Sequence, residues 1–469
     1  MDLKRLAEDS LAWIRSEAPG FEAEIYLARG IERGVEIREG ALDGIQESSS
    51  EGAGLRVLEG GRMGFASAGG LSLEAVQALF RKVRAQLQHL EEDPHKGFPA
   101  PTAAPADAAL ASSLWDEELF TAPWGDVLPR LRAMEARALA VDKRLGAVIR
   151  AGYGESRGEM IVANTGGLLV AQRGTSASVG LSALSQEDGE SQVGSAFQSA
   201  CRAAELDFDK VADEAGFRTA ALLGARKLPG GRRAVLFDPW VAGELLDLVS
   251  SLLCADQVQR GKSLLAGKLG RQVASEFVTF IDDPRRPGGL ASSLYDDEGC
   301  PTGTKTMIEK GAVKEYFYDT YTARKDKRSG NASAGRGSFK GLPSPGCSNF
   351  YMAPGPQTRE QLIADTKDGV LIDGRGSYSI DQQRYNGQFG GNCFWEIKNG
   401  KITRMVTDVT YNAITTDFWA NLDAIGSQET WRMFGTGGDA KGQPTQTNSI
   451  SHGSPYIRIK KIMVGAAYA

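Results

Sequence analysis

A chain of 469 residues is long enough for two or three domains with separate cores, and 41% apolar with 24% charged residues is an ordinary globular composition. The formal net charge of −5 argues against a general nucleic-acid binder. No stretch approaches the roughly 18 apolar residues of a membrane helix, and five dispersed cysteines without a C-x-x-C pair predict reduced thiols in a cytoplasmic protein without a zinc knuckle.

The first residues carry acids among their apolar positions, so they read as an amphipathic helix and not as a signal peptide. Leu3, Leu6, Ala7, Leu11 and Ile14 form its stripe, and Pro19-Gly20 ends it. Alternating patterns predict strands at 21–27, 31–37, 55–58 and, after the Gly60-Gly61 turn, 63–66. Ser72 is placed to cap a helix whose buried stripe is Val76, Leu79, Phe80, Val83, Leu87 and Leu90. Residues 93–113, rich in Pro and Ala, read as a connecting arm. A helix over about 125–142 buries Val127, Leu131, Met134 and Ala138. Strands follow at 147–153, 159–163 and 168–172, the last two joined by Asn164-Thr165-Gly166-Gly167. A helical stretch near 210–227 leads to Gly230-Gly231, the most natural boundary of the chain.

Beyond it, 233–237 reads as a short buried strand. Asp238 is placed to cap a helix over about 239–254, with Pro239 at the first position, where a missing N–H costs nothing. Further on, Asn399-Gly400 suits a type I′ turn between strands 394–397 and 402–406. Residues 451–455 read as turn-like, a helix is expected near 413–426, and a strand at 456–464 closes the chain. The predicted fold is α+β: an N-terminal helix/sheet domain, then a strongly curved, largely antiparallel β domain with few helices. The expected division is 1–92 for the first N-terminal part, 93–113 for the arm, 114–229 for the second N-terminal part and 230–469 for the β-rich domain.

Chemistry-bearing patterns are sparse. The only histidines are His89, His95 and His452, and Pro94 keeps the first two from forming a helical metal-binding pair. His452 suits a general base, a lone ligand or a turn histidine bonded to backbone. Gly261-Lys262-Ser263 resembles the end of a phosphate loop, but Asp256 stands where the leading glycine is needed. Asp296-Asp297-Glu298 and Asp282-Asp283 could hold a hard cation or be solvated turn acids. The polar loop 329–337 could present a serine and an anion nest, or face a substrate.

Several short stretches, in order, resemble one family. In the first half they are Gly52-Ala53-Gly54-Leu55-Arg56-Val57 and Gly64-Phe65-Ala66-Ser67. In the second they include Gly261-Lys262-Ser263, Gly267-Lys268-Leu269-Gly270, residues 278–284 and 295–299, Gly330-Asn331, residues 348–355 and 459–465. Together they look like the TldD/PmbA family, also called peptidase U62 or "modulator of DNA gyrase" proteins, and the chain is most similar to its TldE/PmbA-like members. The resemblance implies two kinds of subunit. TldD-type members bind a catalytic metal through H-E-x-x-x-H on a helix and a distant cysteine. TldE/PmbA-type members lack these residues and complete a heterodimer that encloses unfolded peptides.

Counted without gaps from Gly261, the histidine positions fall at Leu246 and Ser251, the glutamate at Asp247, and the cysteine near Gly437. An apolar side chain, a hydroxyl and a glycine cannot replace two imidazoles and a thiolate. The resemblance therefore implies no catalytic residue, metal or cofactor in this chain. It implies a TldD-like zinc metallopeptidase partner, or self-association as a homodimer, with an unfolded peptide as substrate and neither membrane nor nucleic acid involved. Peptide capture is expected by β-augmentation, with Gly330, Asn331, Ser333, Arg336, Asn349, Tyr351 and His452 as candidate contacts. One departure stands out: the tail from Lys441 to Pro455 looks more like that of metal-binding members. It fits a catalytic ancestor that lost its metal, or a specialised subfamily. A stand-alone homodimeric peptide- or ligand-binding protein, and a hydrolase using Ser, Cys or His452, are the alternatives.

Overall fold

The computed structural model describes residues 2–466 except 104–106, 375–377, 382–385, 391–392, 408, 436–438, 442–445 and 449. Asp2 accepts the backbone N–H groups of Lys4 and Arg5 and opens α1 (Leu3–Glu17), whose apolar stripe is buried as the periodicity predicts. The strands β1 (Glu22–Arg38), β2 (Ala41–Glu59) and β3 (Arg62–Gly69) follow, then α2 (Leu73–Leu87), capped by Ser72. The short α3 (Ala108–Ser113) and α4 (Trp124–Ala140) lead to β4 (Leu145–Asn164), β5 (Leu169–Glu187), β6 (Glu190–Ala200) and α5 (Phe208–Ala221). These strands form one six-stranded antiparallel sheet in the order β3-β2-β1-β4-β5-β6.

The sheet corrects the expected strand lengths. Stretches 21–27 and 31–37 are one strand of 17 residues, and 147–153 with 159–163 are one of 20. The reason is how the sheet is covered. Helices α1 and α2 pack on one end, where Leu6, Ile25, Leu55 and Phe80 form a core. Helices α4 and α5 cover the other end around Val35, Leu131, Val179 and Val211. Between the two cores the strands continue through polar and glycine-rich sequence, with Gly30 opposite Gly158 and Gly34 opposite Gly154. Arg29–Glu159 and Arg33–Glu155 ion pairs cross this middle stretch at 2.5 and 2.7 Å. Apolar alternation marks apolar burial, not pairing, so it vanishes where the strands carry glycines and ion pairs in place of an apolar core.

After β7 (Arg226–Lys227) and β8 (Gly231–Phe237), Asp238 accepts the Val241 N–H and α6 (Pro239–Leu252) begins. A ten-stranded sheet, curled as a half-barrel, has β8 between the strands Asp368–Ile372 and Ile457–Ala466. A second sheet of six strands includes Phe280–Asp282, Asn349–Met352, Ser451–Ser454 and Arg432–Gly435. Helix α6 lies in the core shared by both sheets, which explains why it is apolar nearly all round. The β-rich character holds. Among the strands of the described residues pairing is largely antiparallel, with three parallel exceptions. Strand Asp368–Ile372 runs parallel to β8, strand Lys401–Thr407 to β7, and strand Ser451–Ser454 to Asn349–Met352. The 399–400 hairpin forms as predicted, with φ of 51° at Asn399 and 73° at Gly400. Two local expectations change. The helix near 413–426 is only Thr415–Ala420, followed by a strand at Leu422–Ile425, and 451–454 is a buried strand instead of a turn.

Candidate functional site

The expected metal-helix positions all lie on α6, and burial sorts them. Leu246 is fully buried in the apolar core, Ser251 is buried, and Asp247 is half-buried. Gly437 lies outside the described residues. A zinc tetrahedron draws on imidazole, thiolate or carboxylate groups. Leu246 supplies none of these and Ser251 only a neutral hydroxyl, so these three positions do not make the donor set that H-E-x-x-x-H provides. Among the described residues, no three His, Cys, Asp or Glu side chains group in a way that could hold a metal ion.

Around Asp247 the fold gathers groups that sequence reading did not join. Ser250 donates its hydroxyl to the Asp247 carbonyl at 2.9 Å, and the Cys254 thiol donates to the Ser250 carbonyl at 3.4 Å. Cys347 reaches the same place from the loop before Asn349. Burial pushes its thiol well above the usual range, and the charges of Asp282 and Asp247 add to the effect, against a hydrogen bond with Ser250. Asp282 is buried, pairs with Lys305 at 3.1 Å and accepts the Ser348 N–H and hydroxyl at 2.7 and 3.0 Å. It is a structural ion pair and not a solvated turn acid. The spacing of Asp247 and Ser250 was a usable signal, since residues three apart share a helix face, whereas Cys254 follows the end of α6 in extended backbone. Nothing local in the sequence announced Cys347 or Lys305.

The candidate peptide contacts fall into two groups. Asn349, Tyr351 and His452 lie on neighbouring parallel strands, with Phe350 opposite His452 and Tyr351 opposite Gly453. His452 is fully buried. Its ring meets Phe350 edge-on at 6.4 Å, and its Cβ lies 3.6 Å from where a Cβ on Gly243 of α6 would stand. Asn349 is also fully buried, donating to the Asp283 carbonyl and the Ser292 hydroxyl at 2.8 and 2.7 Å. Tyr351 keeps part of its surface and packs edge-on against Trp431.

The second group lies past the C-terminal end of α6, where the 329–337 loop, bonded to Tyr316 and Tyr318, meets the N-terminal sheet. Gly330 is exposed. Asn331 ties its loop down by accepting the Tyr318 N–H and donating to the Tyr316 carbonyl, while the buried Ser333 hydroxyl donates to Asn331. Arg336, with a side chain 1% exposed, pairs with Glu24 of β1 and donates its backbone N–H to Asp297 at 2.6 Å. Glu24 also pairs with Arg56 of β2, and Arg56 reaches Glu298 at 3.0 Å. Burial alone would raise the Glu24 carboxyl, but the charges of Arg336 and Arg56 outweigh it and hold the group below the usual carboxylate range. The Asp296-Asp297-Glu298 run, open between cation site and solvated turn from sequence, is thus a buried seam between the two halves. There Asp296 accepts the N–H groups of Glu298, Cys300 and Ala334. The arm is fastened at the same seam by Arg324, which donates to the carbonyls of Lys96 and Phe98.

Comparison with known proteins follows this geometry closely. Family models of the PmbA/TldA metallopeptidase match as domain 1 over residues 23–87, as the central domain over 118–223 and as the C-terminal domain over 230–466. A protein named metalloprotease from Methanothermobacter thermautotrophicus is 27% identical over 94% of this chain and 95% of its own. Metalloprotease PmbA of Escherichia coli O157:H7 is 26% identical over 91% of each chain. Among solved structures, TldE from Thermococcus kodakarensis superposes with a TM-score of 0.83 at 19% identity, covering 99% of both chains. A Thermotoga maritima protein described as a candidate modulator of a DNA gyrase also gives 0.83, at 21% identity, over 99% of this chain and 100% of that one. With all three domain models matched in order along most of its length, the chain belongs to the PmbA/TldD metallopeptidase family.

Proposed function

We propose that the chain is a non-catalytic, TldE/PmbA-like subunit of a TldD/TldE-type metallopeptidase that acts on unfolded peptides in the cytoplasm. The observation that carries this reading is the α6 helix, which bears Leu246, Asp247 and Ser251 where a metal-binding relative needs two histidines and a glutamate. His452, enclosed against Phe350 and Gly243, is poorly placed to supply a missing imidazole. The partner would be a TldD-like zinc subunit carrying the cutting site. This chain would complete the wall of the chamber.

An extended peptide has a backbone edge to pair with. β3 covers β2 only over Gly52–Glu59, so among the described residues positions 41–51 of β2 have no strand on their outer side. Leu42 and Ile45, 49% and 51% exposed, lie on that stretch. A hydrolase using one of the cysteines is disfavoured by their surroundings. Burial raises the thiols of Cys201 to about 11 and Cys393 to about 12, far from the thiolate a nucleophile needs.

Affinity purification from the native host tests the reading. Recovery of a chain carrying H-E-x-x-x-H, with peptidase activity that depends on that chain and is lost on chelation, is expected. Elemental analysis of this subunit purified alone should show no stoichiometric zinc. Tightly bound zinc, or partner-free peptide turnover abolished by His452→Ala, would sink the proposal.

A further inference from the structure

A cavity of about 550 Å³ opens where β6 and α5 of the N-terminal half meet the start of α6 and the strand Arg432–Gly435. It lies about two helical turns, roughly 10 Å, from Asp247 along α6, and its volume is in the range of small-ligand pockets. One wall is aromatic. Trp240, 5% exposed, stacks on Phe434 at 5.6 Å and 20°, with Phe197 edge-on to it at 4.8 Å. Trp240 is covered by Phe434 and the Arg218 guanidinium and backs the wall, leaving the half-buried Phe434 as the surface on which a flat ring can stack.

The polar wall is built around Arg218. Its guanidinium lies over the Trp240 ring at 5.1 Å, between Glu214 at 3.5 Å and Asp373 at 3.6 Å. Neither ion pair is tight, and Nη1 has no hydrogen-bond partner, a deficit that a ligand oxygen would remove. Arg359 and Arg432 stand on the same cavity wall. Beside them, Asp238 faces the cavity while capping α6. Burial and the charge of Asp373 push its carboxyl well above the usual range, which favours an uncharged form that does not repel an anion. Cations on the wall are otherwise matched by carboxylates. That parity suits a singly charged anion and not a polyphosphate.

We propose that this cavity binds an aromatic carboxylate, with the ring on Phe434 and the carboxylate at Arg218 and Arg359. Two sources share this chemistry: the C-terminal residue of a peptide ending in an aromatic side chain, and a free aromatic acid. The peptide source rests on the functional reading above and gives the chamber a subsite for one end of its substrate.

Isothermal titration calorimetry on the full-length protein, with any co-purifying partner retained, tests the proposal. The probes are Gly-Gly-Phe, its C-terminal amide, Gly-Gly-Ala and 3-phenylpropanoate. Gly-Gly-Phe should bind at least about tenfold more tightly than its amide and than Gly-Gly-Ala. Arg359→Gln, at a half-exposed position, and Phe434→Ala should each weaken it by about the same factor without shifting the melting temperature appreciably. Tighter binding of Gly-Gly-Phe than of 3-phenylpropanoate supports the peptide source, and the reverse assigns the cavity to free acids. Equal binding of acid and amide, or no heat at millimolar concentration, overturns the proposal. The functional reading stands apart from this outcome, since recovery of a metal-bearing partner does not depend on ligand binding here.

Discussion

Glu24 shows how far a single residue's meaning depends on the fold. In the sequence it is one acid in an alternating strand. In the structure it is fully buried between Arg56 and Arg336, one from the adjacent strand and one from the other half of the molecule. Removing one partner of a buried ion cluster strands the others, a loss of roughly 3–5 kcal/mol. Glu24→Gln should lower stability at pH 7 by about that amount, read from urea unfolding. Its pH dependence has a definite sign. Because the folded carboxyl lies below its ordinary value of 4.5, its contribution is full above that value and is lost as pH falls through the lower folded one. The wild type should therefore lose more stability between pH 5 and 3 than Glu24→Gln does. Parallel curves for the two proteins would show that the carboxylate is not stabilised by its partners. The residues of this seam were illegible in the sequence because a buried Arg–Glu cluster has the composition of a solvated surface, and only long-range packing separates them.

Elements were legible where apolar burial and a cap mark them in the sequence. α2 and α6 emerge from spacing and caps alone, because Ser72 and Asp238 each accept an N–H at the start of an apolar stripe. The middle of the long strands did not emerge, since there the pairing partner is backbone and the faces carry glycines and ion pairs in place of apolar side chains. The α6 positions Leu246 and Asp247 were legible only through resemblance, whereas the Asp247–Ser250 pair on one face of α6 was available from spacing. Two glycine substitutions probe the elements. Gly243 in α6 faces His452 at an ordinary contact distance of 3.6 Å, so Gly243→Ala should fit and raise stability by about 0.5–1 kcal/mol through helix propensity. Gly400 is different: φ is +73° and an added Cβ would meet the Ala364 carbonyl oxygen at 2.4 Å. Gly400→Ala should cost about 1 kcal/mol or more. A thermal melt in which both variants shift in the same direction would contradict this account of the two sites.

At the scale of the whole molecule, the seam joins a helix-covered sheet to a curled half-barrel through charge as well as apolar contact. Leu168 and Val170 of the N-terminal half share a small cluster with Phe339 of the other, and Arg324 holds the arm across the join. Calorimetry of the wild type should show one unfolding transition, since the halves share these buried groups, and Arg336→Ala should split it into two. Two resolved transitions in the wild type would mean that the seam does not couple the halves. The same contact has a consequence in time. Glu24 and Arg336 are 312 positions apart, and a ribosome adding about 5–20 residues per second needs roughly 15–60 s to cover that distance. For that interval the nascent N-terminal sheet holds Glu24 with Arg56 as its only cation of the pair, so this half completes its interior only after its own synthesis has ended. A truncated chain released before Arg336 would carry that deficit permanently, which gives quality control a physical mark by which to tell fragments from finished subunits.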